Sequence, residues 1–135
     1  MALKIARTII KEIIDQARVE NPRECCGVLG GSDGEARTRY PLVNRSTEPE
    51  RRYFAAPEDL FVVMRRMREA GEELVVIYHS HPRGPSHPSQ TDIELAFYPE
   101  AAYLIVTLEP QTDARAFRIS EGAVSEITMD IGDYD

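Results

Sequence analysis

Five consecutive apolar residues, Leu74-Val75-Val76-Ile77-Tyr78, lead without a break into His79-Ser80-His81. A run with no polar alternation suits a strand covered on both faces, which needs helices above and below its sheet. Helices interrupt an otherwise mixed sheet along this chain, so the reading is an α/β (α+β) fold. The same run aims the histidines. Side chains at i and i+2 share one face of a strand, so His79 and His81 project to the same side and can converge on one ion.

The rest of the chain supplies the covering elements. Ile5, Ile9, Ile10, Ile13, Ile14 and Ala17 recur at helical spacing, predicting an amphipathic helix over 4–19 that Asn21-Pro22 ends. Residues 25–29 read as a short strand closed by Gly30-Gly31, with 36–43 as its hairpin partner. Pro57, followed by Glu58 and Asp59, opens a second helix with Leu60, Met64 and Met67 as its stripe and Gly71 as its stop. Ser89 begins a third, carrying Ile93, Ala96 and Phe97 and ended by Pro99. Residues 103–107, 115–120 and 123–128 close the chain as strands, the last two joined across Glu121-Gly122. With no repeat, low-complexity tract or linker, residues 1–135 read as one domain, a mixed central sheet flanked by about three helices.

Charge and cysteine usage narrow the function classes. Sixteen Lys+Arg stand against 23 Asp+Glu, a net charge of -7. An acidic surface repels phosphate backbones and anionic lipid, so nucleic acid and membrane are not the expected partners. Arg65, Arg66 and Arg68 read as a solvated helix face. No apolar run approaches the ~18–20 residues of a membrane span, and residues 1–14 lack the pattern of a signal peptide. Cys25 and Cys26, the only cysteines, are neighbours and point to opposite faces of a strand. They form no disulfide framework, and a reducing cytoplasm is the expected compartment.

The chemistry concentrates in residues 79–92. Zinc takes imidazole nitrogen and carboxylate oxygen at similar distances, and Asp92, one turn into the third helix, is placed to join His79 and His81. Three protein ligands leave a fourth position for water, the arrangement of a catalytic zinc. Ser89-x-x-Asp92 also resembles a helix capping arrangement, a role compatible with chemistry at the same loop rim. His87, mid-loop among prolines, reads as a solvated residue. Rival histidine sites do not match: Arg83 stands where a metallo-β-lactamase-type site wants Asp, the H-x-E of zinc deaminases has His at position 81, and H-E-x-x-H is absent.

His79-Ser80-His81, seven residues, then Ser89-x-x-Asp92 resembles the signature of the JAMM (MPN+) metalloproteases. A second block, Pro22-Arg23-Glu24-Cys25-Cys26-Gly27-Val28-Leu29-Gly30-Gly31, resembles that family's upstream P-x-E-x-C-G-x-L-x-G. The resemblance implies a single MPN/JAMM (cytidine-deaminase-like) domain. It implies Zn2+ held by His79, His81 and Asp92, with Glu24 as general acid/base and Ser89 as oxyanion partner. The implied partner is a ubiquitin-like or sulfur-carrier protein with a C-terminal Gly-Gly, cut at the amide or isopeptide bond of that glycine. The runs 75–81, 88–92 and 118–124 further resemble the peptidases that release cysteine from a sulfur carrier during cysteine biosynthesis. Cys26 shares a strand face with Glu24 and reads as packing. The alternative is a non-catalytic MPN-type module that binds such a carrier or a partner subunit. Cysteine, lysine and a peptide all remain open as the leaving group, and the oligomeric state is open too.

Overall fold

The computed structural model describes residues 2–134, so only the chain's first and last residues lie outside it. Eleven elements follow one another: β1 (Leu3–Ala6), α1 (Arg7–Glu20), β2 (Cys26–Ser32), β3 (Glu35–Leu42), α2 (Pro57–Glu69), β4 (Glu73–His81), α3 (Gln90–Glu94), β5 (Ala102–Thr107), β6 (Asp113–Ser120), β7 (Ala123–Ile127) and β8 (Met129–Gly132). The eight strands form one sheet in the order β7-β6-β5-β4-β2-β3-β1-β8. β4 and β5 run parallel, as do β1 and both its neighbours, while the remaining pairs are antiparallel. The sheet is therefore mixed, as expected. Among the described residues no helix is long and apolar enough to cross a membrane.

β4 is central and buried on both faces, as its unbroken apolar run requires. Val76 and Tyr78 join the core beneath α1, with Ile9, Ile13, Ala17, Leu29 and Leu104. Ile77 points the other way, into a core with Val63, Met67, Ile105 and Phe117 under α2. This alternation decides where the chemistry goes. His79 and His81 share the parity of Ile77, so they emerge on the α2 and α3 side. The neighbouring cysteines split in the same way, Cys25 into the first core and Cys26 into the second, both as free thiols.

Four local readings need correction. The first helix starts at Arg7 rather than near residue 4, because residues 3–6 form the edge-side strand β1 between β3 and β8. Leu3 and Ile5 are buried at strand spacing there, and Ile5 fits a helical period only by coincidence. Gly30-Gly31 does not close β2. The strand runs on to Ser32, and the hairpin turn is Asp33-Gly34, both at positive φ. Gly31 instead lies at a bulge, where an added Cβ would stand 1.9 Å from the Glu35 carbonyl oxygen. The third helix is only Gln90–Glu94, and Phe97, expected on its apolar face, is 71% exposed. Last, residues 123–128 are followed by a further strand, β8, that crosses to the far edge beside β1. α2 follows expectation in its Pro57 start and acidic first turn, though Val63 joins Met67 as its deeply buried pair.

Candidate metal centre

The site forms where β2 begins and β4 ends. The two strands pair antiparallel with Cys26 opposite His79, which brings the Glu24 end of β2 alongside the histidines. Ser80, on the opposite face of β4, locks this register: its backbone N–H donates to the Cys25 carbonyl at 3.0 Å and its Oγ accepts from the Cys25 N–H at 2.8 Å. Asp92 arrives from the other direction. Ser89 caps α3 with a reciprocal pair, its Oγ accepting the Asp92 N–H at 3.1 Å and its own N–H donating to Asp92 Oδ2 at 2.8 Å. The cap holds the carboxylate in one rotamer, pointed at the strand end.

Three ligand-type atoms converge as a result. His79 Nε2 and His81 Nε2 are 3.0 Å apart, and Asp92 Oδ2 lies 3.1 Å from the first and 3.0 Å from the second. Tetrahedral ligand atoms about 2.0–2.1 Å from a zinc ion sit roughly 3.3 Å from one another, so the triangle is close to the size such an ion needs. His81 Nδ1 donates to the Pro85 carbonyl at 2.9 Å, which leaves its Nε2 lone pair facing the triangle. The His79 ring is stacked on Tyr53, with centroids 4.6 Å apart, and its own Nδ1 is buried without a partner. The donor set and its spacing fit a divalent ion.

Glu24 is the fourth member. An oxygen of its carboxyl lies within 4.8 Å of a ring nitrogen of each histidine, and its buried Oε1 has no hydrogen-bond partner. The histidines therefore have two carboxylates within reach, at different distances. Asp92 Oδ2 lies within hydrogen-bond distance of both rings, whereas the Glu24 carboxyl lies within 4.8 Å of each and makes no hydrogen bond to either. Burial pushes the Glu24 carboxyl up to about 7, aided by the Asp92 charge and opposed by His81 and Arg52. Burial opposes ionisation of Asp92 too, but hydrogen bonds from His79 and His81 outweigh it and hold that carboxyl far below its usual range. Desolvation lowers His79, while for His81 the bonds to Asp92 and Pro85 overcome desolvation and raise it. Two carboxyls beside the same pair of histidines are thus pushed in opposite directions, the pattern of groups with different tasks.

His87 stands apart from the triangle. It is exposed, its ring meets Phe117 edge-on at 5.4 Å between centroids, and its Nδ1 donates to the Pro88 carbonyl. Cys26 packs in the core under α2, and burial raises both thiols, Cys25 to about 11 and Cys26 to about 12. Neither is a ready thiolate.

A family model described as prokaryotic homologs of the JAB domain, Prok-JAB, matches residues 6–120, which include all five candidate residues, Glu24, His79, His81, Ser89 and Asp92. The chain belongs to the Prok-JAB family. It is similar to the CysO-cysteine peptidase of Mycobacterium tuberculosis, 37% identical over 133 residues that cover 96% of this chain and 90% of that protein. It is also similar to the desampylase of Haloferax volcanii, 38% identical over 101 residues covering 73% of this chain and 72% of that one. Among solved structures, protein DSY2949 from Desulfitobacterium hafniense matches with a TM-score of 0.86 at 31% identity, over 97% of this chain and 93% of its own. The Prok-JAB match ends at Ser120, the last residue of β6, so β7 and β8 lie beyond it.

Three supporting residues of this Prok-JAB site were not singled out by sequence reasoning. Asn44 is buried and organises the 44–56 segment through both ends of its amide. Its Nδ2 donates to the carbonyls of Glu24 (2.9 Å), Pro49 (3.3 Å) and Arg52 (3.2 Å), and its Oδ1 accepts from the N–H groups of Ser46 and Phe54. One side chain so ties the Glu24 backbone to the loop that delivers Tyr53. Tyr53 carries no signal in the sequence. Asn44 carries a weak one, a turn-forming residue directly after a strand. Ser80 lies inside the motif, yet only the strand pairing reveals its use.

Proposed function

We propose that the chain is a zinc-dependent peptidase that hydrolyses the amide or isopeptide bond at the C-terminal glycine of a ubiquitin-like or sulfur-carrier protein. The observation that carries this reading is the triangle of His79, His81 and Asp92 with the carboxyl of Glu24 set back beside it. The substrate class is supported by the names of its relatives, a CysO-cysteine peptidase and a desampylase. The first aligns over nearly the whole chain, which favours a sulfur-carrier adduct and release of cysteine. We read residues 1–135 as one domain acting in the cytoplasm, consistent with two buried free thiols.

His79, His81 and Asp92 would hold the ion, whose contribution when bound is to acidify water toward a pKa of ~7 and to polarise a carbonyl. Glu24 does the proton work. With its buried carboxyl pushed up to about 7, it can take a proton from attacking water and return it to the departing amine. Ser89 keeps its hydroxyl proton, since its Oγ is an acceptor in the helix cap, and so can donate to an oxyanion developing on the carbonyl. Tyr53 and Asn44 keep the surroundings fixed while this happens.

The test is hydrolysis of a carrier–cysteine adduct by zinc-loaded protein, followed by mass spectrometry. The adduct should lose one cysteine residue in a chelator-sensitive reaction. Glu24→Gln should retain the metal and lose turnover by about 10²–10⁴-fold, the usual worth of a general acid/base. Zinc-loaded protein that binds carriers but cuts neither cysteine adducts nor lysine conjugates would instead be a binding module.

A further inference from the structure

Two cavities meet at the triangle, and they differ in chemistry. One, of about 240 Å³, is apolar and includes Cys26, Tyr53, Met64, Ile77, Leu95 and Asp92 in its wall. The other, of about 550 Å³, is more polar, and its titratable lining is Glu24, Glu50, Arg51, His81, Arg83 and His87. They share no lining residue. Asp92 opens on the apolar cavity only, and Glu24 on the polar cavity only. On the reading given above, Glu24 hands its proton to the departing amine. The amine must therefore leave on the polar side, with the acyl tail along the apolar one.

The polar side contains a cation without an internal use. Arg83 is exposed and has no carboxylate within ion-pair distance among the described residues, whereas Arg51 is held by Glu48 at 3.4 Å. The Arg83 backbone is also fixed. It sits in the tight turn Pro82-Arg83-Gly84-Pro85, where the Gly84 N–H donates to the His81 carbonyl at 2.9 Å and His81 Nδ1 donates to Pro85 at 2.9 Å. A guanidinium tethered to the turn that orients His81 is a fork suited to a planar carboxylate.

We propose that Arg83, seconded by Arg51, binds the α-carboxylate of the leaving amino acid. The inference rests on the peptidase reading and narrows its substrate. In a carrier capped by a single amino acid, the scissile nitrogen is bonded to the carbon that bears a free carboxylate. In an isopeptide conjugate, the nitrogen is the end of a lysine side chain, several methylenes from any backbone group, and nothing there pairs with Arg83. Hydrolysis is balanced in either case: water oxygen bonds to the glycine carbonyl carbon, the C–N bond breaks, and the amine departs with the proton from Glu24. The subsite makes the chain selective for releasing a C-terminal amino acid.

The experiment uses a sulfur-carrier protein capped with cysteine, the same carrier capped with cysteine amide, and a lysine-linked isopeptide conjugate of it. Zinc-loaded wild-type protein should cut the free acid with a kcat/KM about tenfold or more above the amide, a ratio typical of one charge-assisted pair. Arg83→Ala should erase that advantage through KM and leave the amide rate unchanged, and Arg51→Ala should have a smaller effect. In the non-cleaving Glu24→Gln background, calorimetry should show the free acid binding about tenfold tighter than the amide, with the difference lost on adding Arg83→Ala. Equal cleavage of acid and amide, preference for the isopeptide, or equal losses on both adducts in Arg83→Ala would overturn the subsite and leave the peptidase reading intact. Failure to cut any of the three would overturn the peptidase reading itself.

Discussion

Cys26 stands opposite His79 in the ladder between β2 and β4, and this one pairing joins the two halves of the site. Two residues before Cys26, just ahead of β2, comes Glu24. Two residues after His79 comes His81. A shift of one residue in this register would turn Glu24 away from the histidines, because successive side chains alternate between faces. The Ser80–Cys25 hydrogen bonds oppose such a shift.

Metal analysis tests the triangle directly. Purified protein should bind about one zinc per chain, the stoichiometry of a three-ligand site. His79→Ala, His81→Ala and Asp92→Ala should each empty the site, since each removes one of three atoms 3.0–3.1 Å apart. His87→Ala should keep it full. Undiminished zinc in both histidine variants would sink the assignment.

The buried Glu24 carboxyl should also leave a mark on stability in metal-free protein. Its folded pKa, about 7, is raised above the ordinary 4.5, so the fold favours the protonated form. The contribution is fully present below the unfolded value and is lost as pH rises through about 7. Between pH 5 and 8 it should fall by up to about 3 kcal/mol, from the worth of a pKa unit. Glu24→Gln should flatten that part of the profile while leaving the His81 contribution in place. Urea unfolding of both proteins at the two pH values decides it; parallel profiles would refute the raised pKa.

Asn44 offers a test of positioning apart from chemistry. Asn44→Ala removes five hydrogen bonds to backbone groups of the 44–54 region and of Glu24. The expected cost is about 2–3 kcal/mol, because buried backbone groups are left unpaired. Zinc content should stay near wild type, since no ligand is touched, while turnover falls with the loosened Glu24 and Tyr53. A variant with unchanged melting temperature and unchanged turnover would show that the loop holds itself.

Gly27 tests the packing beneath the site. A Cβ at this position would stand 2.2 Å from Tyr78 Oη and 2.3 Å from Cζ, because the tyrosine ring crosses the glycine on its way to Gln16. Gly27→Ala should destabilise by about 1–3 kcal/mol, as overpacking does. In a Tyr78→Leu background the same change should cost clearly less. Equal costs in the two backgrounds would place the effect elsewhere.

Much of this was legible because it is local. The alternation of β4 follows from the run 74–78, and with it the shared face of His79 and His81. Ser89 and Asp92, three residues apart, make the reciprocal cap that their spacing predicts. Cys25 and Cys26 had to part to opposite cores. Where the local signal was short or double, it misled. Ile5 satisfied a helical period while sitting in a strand. Phe97 satisfied one beyond the end of a helix that stops at Glu94.

Residue order alone specifies the buried strand, the paired imidazoles at its end, the cap that carries Asp92 and the family resemblance of the two blocks. These depend on spacing along a few residues, where backbone geometry leaves little choice. It took the folded chain to bring Glu24 beside His79, 55 positions on, since register between distant strands is set by hydrogen bonds no local pattern records. The fold decided the raised pKa of Glu24, which comes chiefly from burial by other segments. It also decided that Asn44 and Tyr53 support the site and that Arg83 stands on the Glu24 side of it, because a side chain's neighbours across a fold are fixed by packing and not by its own place in the sequence.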